Sequence, residues 1–338
     1  MIIVTGASGM LGHYVLKAAG PDAIGAYNTS KPSASVQGTS NLVQADISTQ
    51  AGISKLMALK PEAVINCAAL ASADDCEVNQ GLAKAVNTDA VGMLSKACRK
   101  SGCSLVHIST DFVFSGRQGM YKESDEPSPV NFYGWTKMMG EKQLHPEDLC
   151  VRTALFGWSH GKRQNIADWV VSSLRQGKEV PAFTNSFFTP IYAGDLARLL
   201  LEMLEKGYQG TYHAAGIERV SKHTFALKAA EAFGLDKSLV KQGDIKKWAK
   251  AAEKTGLKGH DSLDSNNQTA WTNQDKRSER SKAVGLEKRD ASNRAERPMD
   301  SSLDCSKLSS SGIKLPTVRE GLERMKADED TTAKDKPA

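Results

Sequence analysis

No apolar run in this 338-residue chain approaches the ~20 residues that a helix needs to span a bilayer, so no membrane-spanning helix is expected. No C-x-x-C pair and no His–Cys cluster occurs. The six cysteines (Cys67, Cys76, Cys98, Cys103, Cys150 and Cys305) are scattered, which fits reduced thiols better than a disulfide framework or a zinc site. His107, His213 and His223 lack ligand-like spacing, and no residue is assigned to a metal. The formal charge of +5 is modest and implies no nucleic-acid partner. A signal peptide is not expected either, because a strand and a glycine turn begin at residue 2. These absences leave a soluble, cytoplasmic protein, with no membrane role and with length for one large or two small domains.

What is present begins at once. The β-branched run 1–4 leads into Thr5-Gly6-Ala7-Ser8-Gly9-Met10-Leu11-Gly12, then a helix-compatible stretch over 13–19 closed by Gly20-Pro21. A glycine turn between strand and helix is the context for dinucleotide binding. Gly6 permits the tight turn, Gly9 a close approach of backbone to pyrophosphate, and Gly12 the packing of helix on strand. The amides around Ser8, Met10 and Leu11 would face the phosphates. A glycine-rich turn without a ligand is the bland alternative.

A second strand over 23–27 ends in Asn28-Thr29-Ser30-Lys31. The carboxylate that NAD-preferring folds often carry there is missing, and Lys31 is a cation that would meet a 2′-phosphate; this leans to NADPH, with NADH as the other donor. A third strand over 42–47 ends in Asp46 and Ile47, beside the adenine, and a fourth over 61–69 ends in Cys67, Ala68 and Ala69, small enough for a cofactor to approach. Asn87, after helical residues 80–86, is either a buried orienter at the cofactor or a helix-terminal asparagine. A helix over 89–100 and a strand over 104–109 follow, and this alternation argues an α/β fold with a doubly wound parallel sheet. The fifth strand ends in Ser109, Thr110 and Asp111, where a hydroxyl would sit over a nicotinamide.

Tyr133 and Lys137 stand one helical turn apart in Tyr133-Gly134-Trp135-Thr136-Lys137, so both side chains would project into one site. An unperturbed phenol titrates near ~10, and a neighbouring ammonium favours the phenolate. The pair acquires meaning from the order glycine turn, strand-end hydroxyl, Tyr-x-x-x-Lys.

In that order the sequence resembles the extended short-chain dehydrogenase/reductases, and within them the dTDP-4-dehydrorhamnose reductase branch. The glycine turn, Asn66-Cys67-Ala68-Ala69, Asp75-Cys76-Glu77, Val86-Asn87, residues 109–114, Tyr133 to Lys137 with Gly140-Glu141, Arg152-Thr153, Thr189-Pro190, residues 210–213, Arg297-Pro298 and residues 302–304 carry the resemblance. It implies a Rossmann-type sheet over 1–155, with part of 185–215, and a smaller C-terminal substrate-binding domain from 156–184 and 216–325. It further implies that Tyr133 is the general acid, that Lys137 lowers its pKa and holds the nicotinamide ribose, and that Thr110 polarises a C4 keto group reduced by NADPH. Thr110 and Asp111 would lie against the sugar of a nucleotide-sugar substrate, as in dTDP-rhamnose synthesis for cell-surface polysaccharide. Trp158 stands near, though not at, the place where these reductases carry a substrate-packing tryptophan. Some members bind Mg2+ at a homodimer interface; no acidic set in this chain is assignable to it. A nucleotide-sugar epimerase or dehydratase with bound NAD is the alternative within enzymes. A non-catalytic regulatory subunit, like that of methionine adenosyltransferase, is the alternative outside them.

In the second half, Leu196, Leu199, Leu200 and Leu204 repeat at helical spacing and should face the core. Residues 243–295 are charged, polar and poor in aliphatics, which predicts a mobile insertion, with a lid or partner-binding segment anchored by Trp248 and Trp271 as the alternative; the charged tail 326–338 is expected to be disordered.

Overall fold

The computed structural model describes residues 1–32, 41–159, 164–245 and 295–334. Apart from 243–245 and 295, the expected insertion, with Trp248 and Trp271, lies outside them, as do residues 335–338.

Strands and helices alternate through the first half: β1 (Ile2–Thr5), α1 (Met10–Ala19), β2 (Ile24–Tyr27), β3 (Leu42–Gln44), α2 (Gln50–Met57), β4 (Ala63–Asn66), α3 (Ala73–Val78), α4 (Gln80–Lys84), α5 (Ala90–Ser101), β5 (Ser104–Ile108), α6 (Phe132–Glu141) and β6 (Leu149–Arg152). The second half adds β7 (Leu155–Phe156), α7 (Ile166–Arg175), β8 (Val180–Phe183), β9 (Phe187–Phe188), β10 (Ile191–Tyr192), α8 (Ala193–Glu205), β11 (Gly210–His213), β12 (Val220–Ser221), α9 (Lys222–Phe233), β13 (Val240–Gly243), α10 (Ser306–Ser309) and α11 (Val318–Lys334). Seven strands form one sheet in the order β11-β6-β5-β4-β1-β2-β3, and every pair in it is parallel. This is the doubly wound α/β architecture expected.

Successive strand residues point to opposite faces, and here both faces are covered. Ile3, Val64 and Leu105 enter a core with Ile53 and Leu94 from α2 and α5. Their neighbours Val4, Ile65 and Val106 enter a larger core with residues of α1, α7, α8, α9 and α11. Burial on both faces explains why these strands read as continuous aliphatic runs. The larger core continues unbroken from Val4 to Phe225 and Leu308, so the second half packs onto one face of the sheet.

Two boundaries differ from expectation for local reasons. β3 stops at Gln44 because Asp46 folds onto itself, its Oδ1 accepting from Ser48 N–H at 2.9 Å, and Thr49 then caps α2 through Gly52 N–H at 3.0 Å. Between α4 and α5 the chain passes through a π-helical turn, Ala85–Asp89, which turns Asn87 inward.

The tail is the larger correction. It is helical as far as Lys334, because α11 carries the buried stripe Val318, Leu322 and Met325 and then finds partners on distant elements. Asp328 accepts from the buried Tyr192 hydroxyl, and Arg175 donates twice to Glu329 at 2.7 Å. Ending the chain at Met325 is therefore expected to cost ~1–3 kcal/mol, through the lost Asp328 bond to the buried Tyr192 hydroxyl and the lost Glu329 pair with Arg175. A denaturation midpoint equal to that of the full chain would contradict this.

Candidate active site

Strands β1, β4 and β5 run in the same direction, so Thr5, Asn66 and Ile108 end at one edge of the sheet. There the chain makes its glycine turn. Gly6 has φ +68°, and a Cβ on it would lie 2.7 Å from Ala68 N and from the Cys67 carbonyl carbon, so the turn and the β4 loop touch backbone to backbone. A Cβ on Gly12 would stand 2.3 Å from Gly6 O, which shows why the first turn of α1 needs glycine there. On Gly9 it would meet only Gly6 O, at 3.2 Å, so the flank of the turn is open to a ligand. No side chain caps α1, whereas Thr49, Asn131, Asn165 and Ser221 cap α2, α6, α7 and α9. An uncapped helix start beside an open glycine turn suits a pyrophosphate.

Asn87 lies within the π-helical turn rather than at an exposed helix end. It is fully buried, accepts from Leu70 N–H at 2.9 Å, and donates to Leu70 O and Thr136 Oγ1, each at 3.1 Å. With its polar atoms so committed, it fixes the loop after Cys67, Ala68 and Ala69 against α6.

Helix α6 delivers Tyr133 and Lys137. Asn131 caps it through Gly134 N–H at 2.8 Å and donates to Glu296 O at 2.7 Å. A Cβ on Gly134 would be 2.1 Å from Phe112 O, so that glycine lets α6 press on the turn after β5. This contact brings Tyr133 up beside Thr110, whose hydroxyl pulls the phenol pKa down in part, with the Tyr133 ring edge-on to Phe112 at 6.1 Å. Thr110 Oγ1 donates to Asp111 Oδ1 at 3.0 Å and accepts from Phe112 N–H at 3.2 Å. Ser301 donates to Asp111 Oδ2 at 2.5 Å. Burial lifts the Asp111 carboxyl above the usual carboxylate range, against the pull of Ser301 and Lys222.

Lys137 is buried here, yet it turns away from the phenol. Its Nζ donates to Ile108 O at 2.7 Å and lies 3.2 Å from His107 Nε2. Burial lowers it to about 8. The expected lowering of Tyr133 by Lys137 is consequently not found in this state. Burial holds the phenol above its ordinary value, Cys76 and Asp111 add to that, and the nearby Thr110 hydroxyl only partly offsets them.

Thr110, Asp111, Tyr133 and Lys137 thus gather at the edge where the glycine turn and Cys67 lie. Other candidates stand apart. Gln44 Nε2 donates to Asn28 O at 2.9 Å, so Asn28 adjoins the end of β3, and Lys31 is exposed. Asp46 is committed to Ser48, with the buried Ile47 beside it. Trp158 donates its indole N–H to Met325 O at 2.7 Å and stacks edge-on to Phe233, contacts remote in chain and packing from those of Tyr133. Gly134, Asn66 and His107 were not singled out from sequence. Gly134, inside the Tyr-x-x-x-Lys segment, and Asn66, inside Asn66-Cys67-Ala68-Ala69, stood in segments that carried the resemblance, whereas His107 read as structural. Among the described residues no group of three or more His, Cys, Asp or Glu could hold a metal, and no helix is long and apolar enough to cross a membrane.

Comparison with known proteins agrees with this geometry. The family model described as RmlD substrate binding domain matches residues 1–330. A probable low-salt glycan biosynthesis reductase of Haloferax volcanii is 36% identical over 248 residues, covering 70% of this chain and 81% of that protein. A dTDP-4-dehydrorhamnose reductase of Mycolicibacterium smegmatis is 32% identical over 249 residues, 71% of each chain. The crystal structure of a hypothetical dTDP-4-dehydrorhamnose reductase from Sulfolobus tokodaii superposes with a TM-score of 0.70 at 29% identity, over 93% of this chain and 95% of that one. With its glycine turn, strand-end Thr110 and Tyr-x-x-x-Lys helix, the chain belongs to the RmlD substrate-binding-domain family of extended short-chain dehydrogenase/reductases.

Proposed function

We propose that this chain, an oxidoreductase, reduces the C4 keto group of a 4-keto-6-deoxy sugar carried on a nucleoside diphosphate, with dTDP-4-dehydrorhamnose as the first candidate and NADPH as donor. The observation that carries the reading is the convergence of Thr110, Asp111, Tyr133 and Lys137 at the carboxyl end of β5, beside the open flank of the glycine turn. When bound, NADPH supplies the hydride.

The chain's own residues do the rest. Gly9 and the uncapped start of α1 receive the pyrophosphate, while Lys31, with no acid in Asn28 to Lys31, favours a 2′-phosphate over a bare ribose hydroxyl. Asp46 and Ile47 border the adenine, and Cys67, Ala68, Ala69 and the orienter Asn87 shape the cofactor side. Thr110 holds the carbonyl oxygen, and Tyr133 gives it the proton as the alkoxide forms. In the free protein Asp111 accepts the Thr110 hydroxyl, and Thr110 turns that proton to the carbonyl oxygen when the sugar, which Asp111 borders, is bound. Lys137 reaches the nicotinamide ribose by leaving Ile108 O. Trp158 adjoins the substrate part of the chain, its indole N–H already occupied.

The test is NADPH oxidation by the purified protein with enzymatically generated dTDP-4-dehydro-L-rhamnose, with NADH in parallel. Turnover faster with NADPH is expected; no turnover with this or any other nucleotide-linked 4-keto sugar would overturn the reading. Thr110→Val keeps the shape and removes one neutral hydrogen bond of ~1 kcal/mol, so kcat should fall about five- to tenfold with NADPH affinity retained. An unchanged kcat would remove Thr110 from the reaction.

A further inference from the structure

Lys137 rests against a buried polar chain that the reaction as described does not use. Thr5 Oγ1 donates to Asn66 Oδ1 at 2.6 Å, Ala68 N–H donates to the same oxygen at 3.3 Å, Asn66 Nδ2 lies 3.1 Å from His107 Nδ1, and His107 Nε2 lies 3.2 Å from Lys137 Nζ. The donors fix the directions. The Thr5 hydroxyl can rotate, but the Ala68 N–H cannot, and turning the Asn66 amide over would set two donors against each other. Asn66 Nδ2 therefore donates to His107 Nδ1, which must carry a lone pair. Burial, and then Lys137, hold His107 well below its ordinary pKa, so the ring is neutral and its one proton sits on Nε2, facing Lys137.

An ammonium has three donors and no acceptor. A free amine, by contrast, donates to Ile108 O and accepts from His107 Nε2–H, satisfying both contacts. We infer that His107, oriented by Asn66, is a positioning residue that favours the free amine over the ammonium of Lys137 on β5, and that cofactor binding above neutral pH draws the lysine out with uptake of a proton from solvent onto Nζ. This rests on the reading of Lys137 as the ligand of the nicotinamide ribose, whose hydroxyls accept from an ammonium.

The other groups facing Nζ leave the assignment intact. Cys67 after β4 and Cys76 on α3 are pushed up to about 12, and Cys150 on β6 well above its ordinary value, all by burial first, so the three thiols carry no charge near neutrality. Glu141, one turn further on α6, is tied to Arg152 at 2.7 Å. The direction with pH follows: with Lys137 near 8 in the parked state, the free protein already holds that proton at lower pH and lacks it at higher pH. Uptake should therefore be small near pH ~7 and grow towards about one proton per site near pH ~9.

Calorimetry of NADPH binding in buffers of different ionisation enthalpy reads this number directly, on the full chain. His107→Gln offers the ammonium an acceptor, and Asn66→Asp moves the ring proton to Nδ1 and frees Nε2 to accept. Both variants are expected to bind NADPH with uptake near zero across that range. A wild-type protein that binds NADPH and turns over without proton uptake would overturn this inference alone. Uptake by both variants equal to that of wild type would do the same. A wild-type protein that fails to bind NADPH would overturn the cofactor reading, and this inference with it.

Discussion

Tyr133→Phe is expected to lower kcat by about 10²–10⁴-fold, the usual contribution of a positioned general acid, while NADPH affinity stays near that of the wild type. The two readouts separate because the substitution removes one oxygen and little else. The ring of residue 133 keeps its edge-on contact with Phe112, and α6 keeps its cap at Asn131 and its close approach at Gly134. Lys137 rests on Ile108 O and His107, not on the phenol, so its position in the free protein should not change. Steady-state kinetics with a fluorescence titration of NADPH checks both halves. Wild-type kcat in this variant would show that the proton comes from elsewhere.

Glu141→Ala should produce the largest loss of stability. Glu141 ends α6 and meets Arg152, the last residue of β6, in a pair whose side chains are only 9% and 6% exposed. Arg152 Nε donates to both carboxylate oxygens at 3.0 and 3.2 Å, Nη2 donates at 2.7 Å, and Ser109 Oγ donates to the same carboxylate. Burial works against the charge on Arg152, and the Glu141 hydrogen bonds and charge more than restore it. Removing the carboxylate leaves a buried guanidinium without its ion-pair partner, with His213 Nε2 at 3.5 Å, the Phe114 ring and the charge of Glu123, beyond ion-pair contact, as neighbours. Breaking one side of such a pair costs ~3–5 kcal/mol. Urea denaturation should show a midpoint reduced accordingly with an unchanged slope. A loss below ~1 kcal/mol would mean that water reaches Arg152 and screens it.

Much of this was legible because it is local. The glycine spacing predicts a turn in which Gly12 must pack on Gly6, and a Cβ at 2.3 Å shows that it does. The alternation of strands and helices predicted a doubly wound sheet, and Val4 and Ile3 entering different cores on its two faces agree with it. What sequence could not show depends on partners far along the chain. His107 lacks ligand spacing and read as structural; its significance arises because Asn66 and Lys137, from β4 and α6, meet it in the buried interior. The tail read as disordered from its charges, yet two of them, Asp328 and Glu329, are held by Tyr192 and Arg175. Lys137 was expected beside the phenol because spacing puts the two on one helix face; spacing says nothing of a carbonyl at Ile108 that competes for the ammonium or amine.

The central claim, net hydride transfer to a nucleotide-linked keto sugar, is tested most directly by following a label. The protein would be supplied with NADPH deuterated at the transferable C4 position of the nicotinamide and with dTDP-4-dehydro-L-rhamnose, and the sugar product analysed by NMR. Deuterium at sugar C4, with one oxidised cofactor released per sugar, is expected. Sugar turned over without deuterium, with the label still on the cofactor, would contradict it and point to chemistry that recycles its hydride.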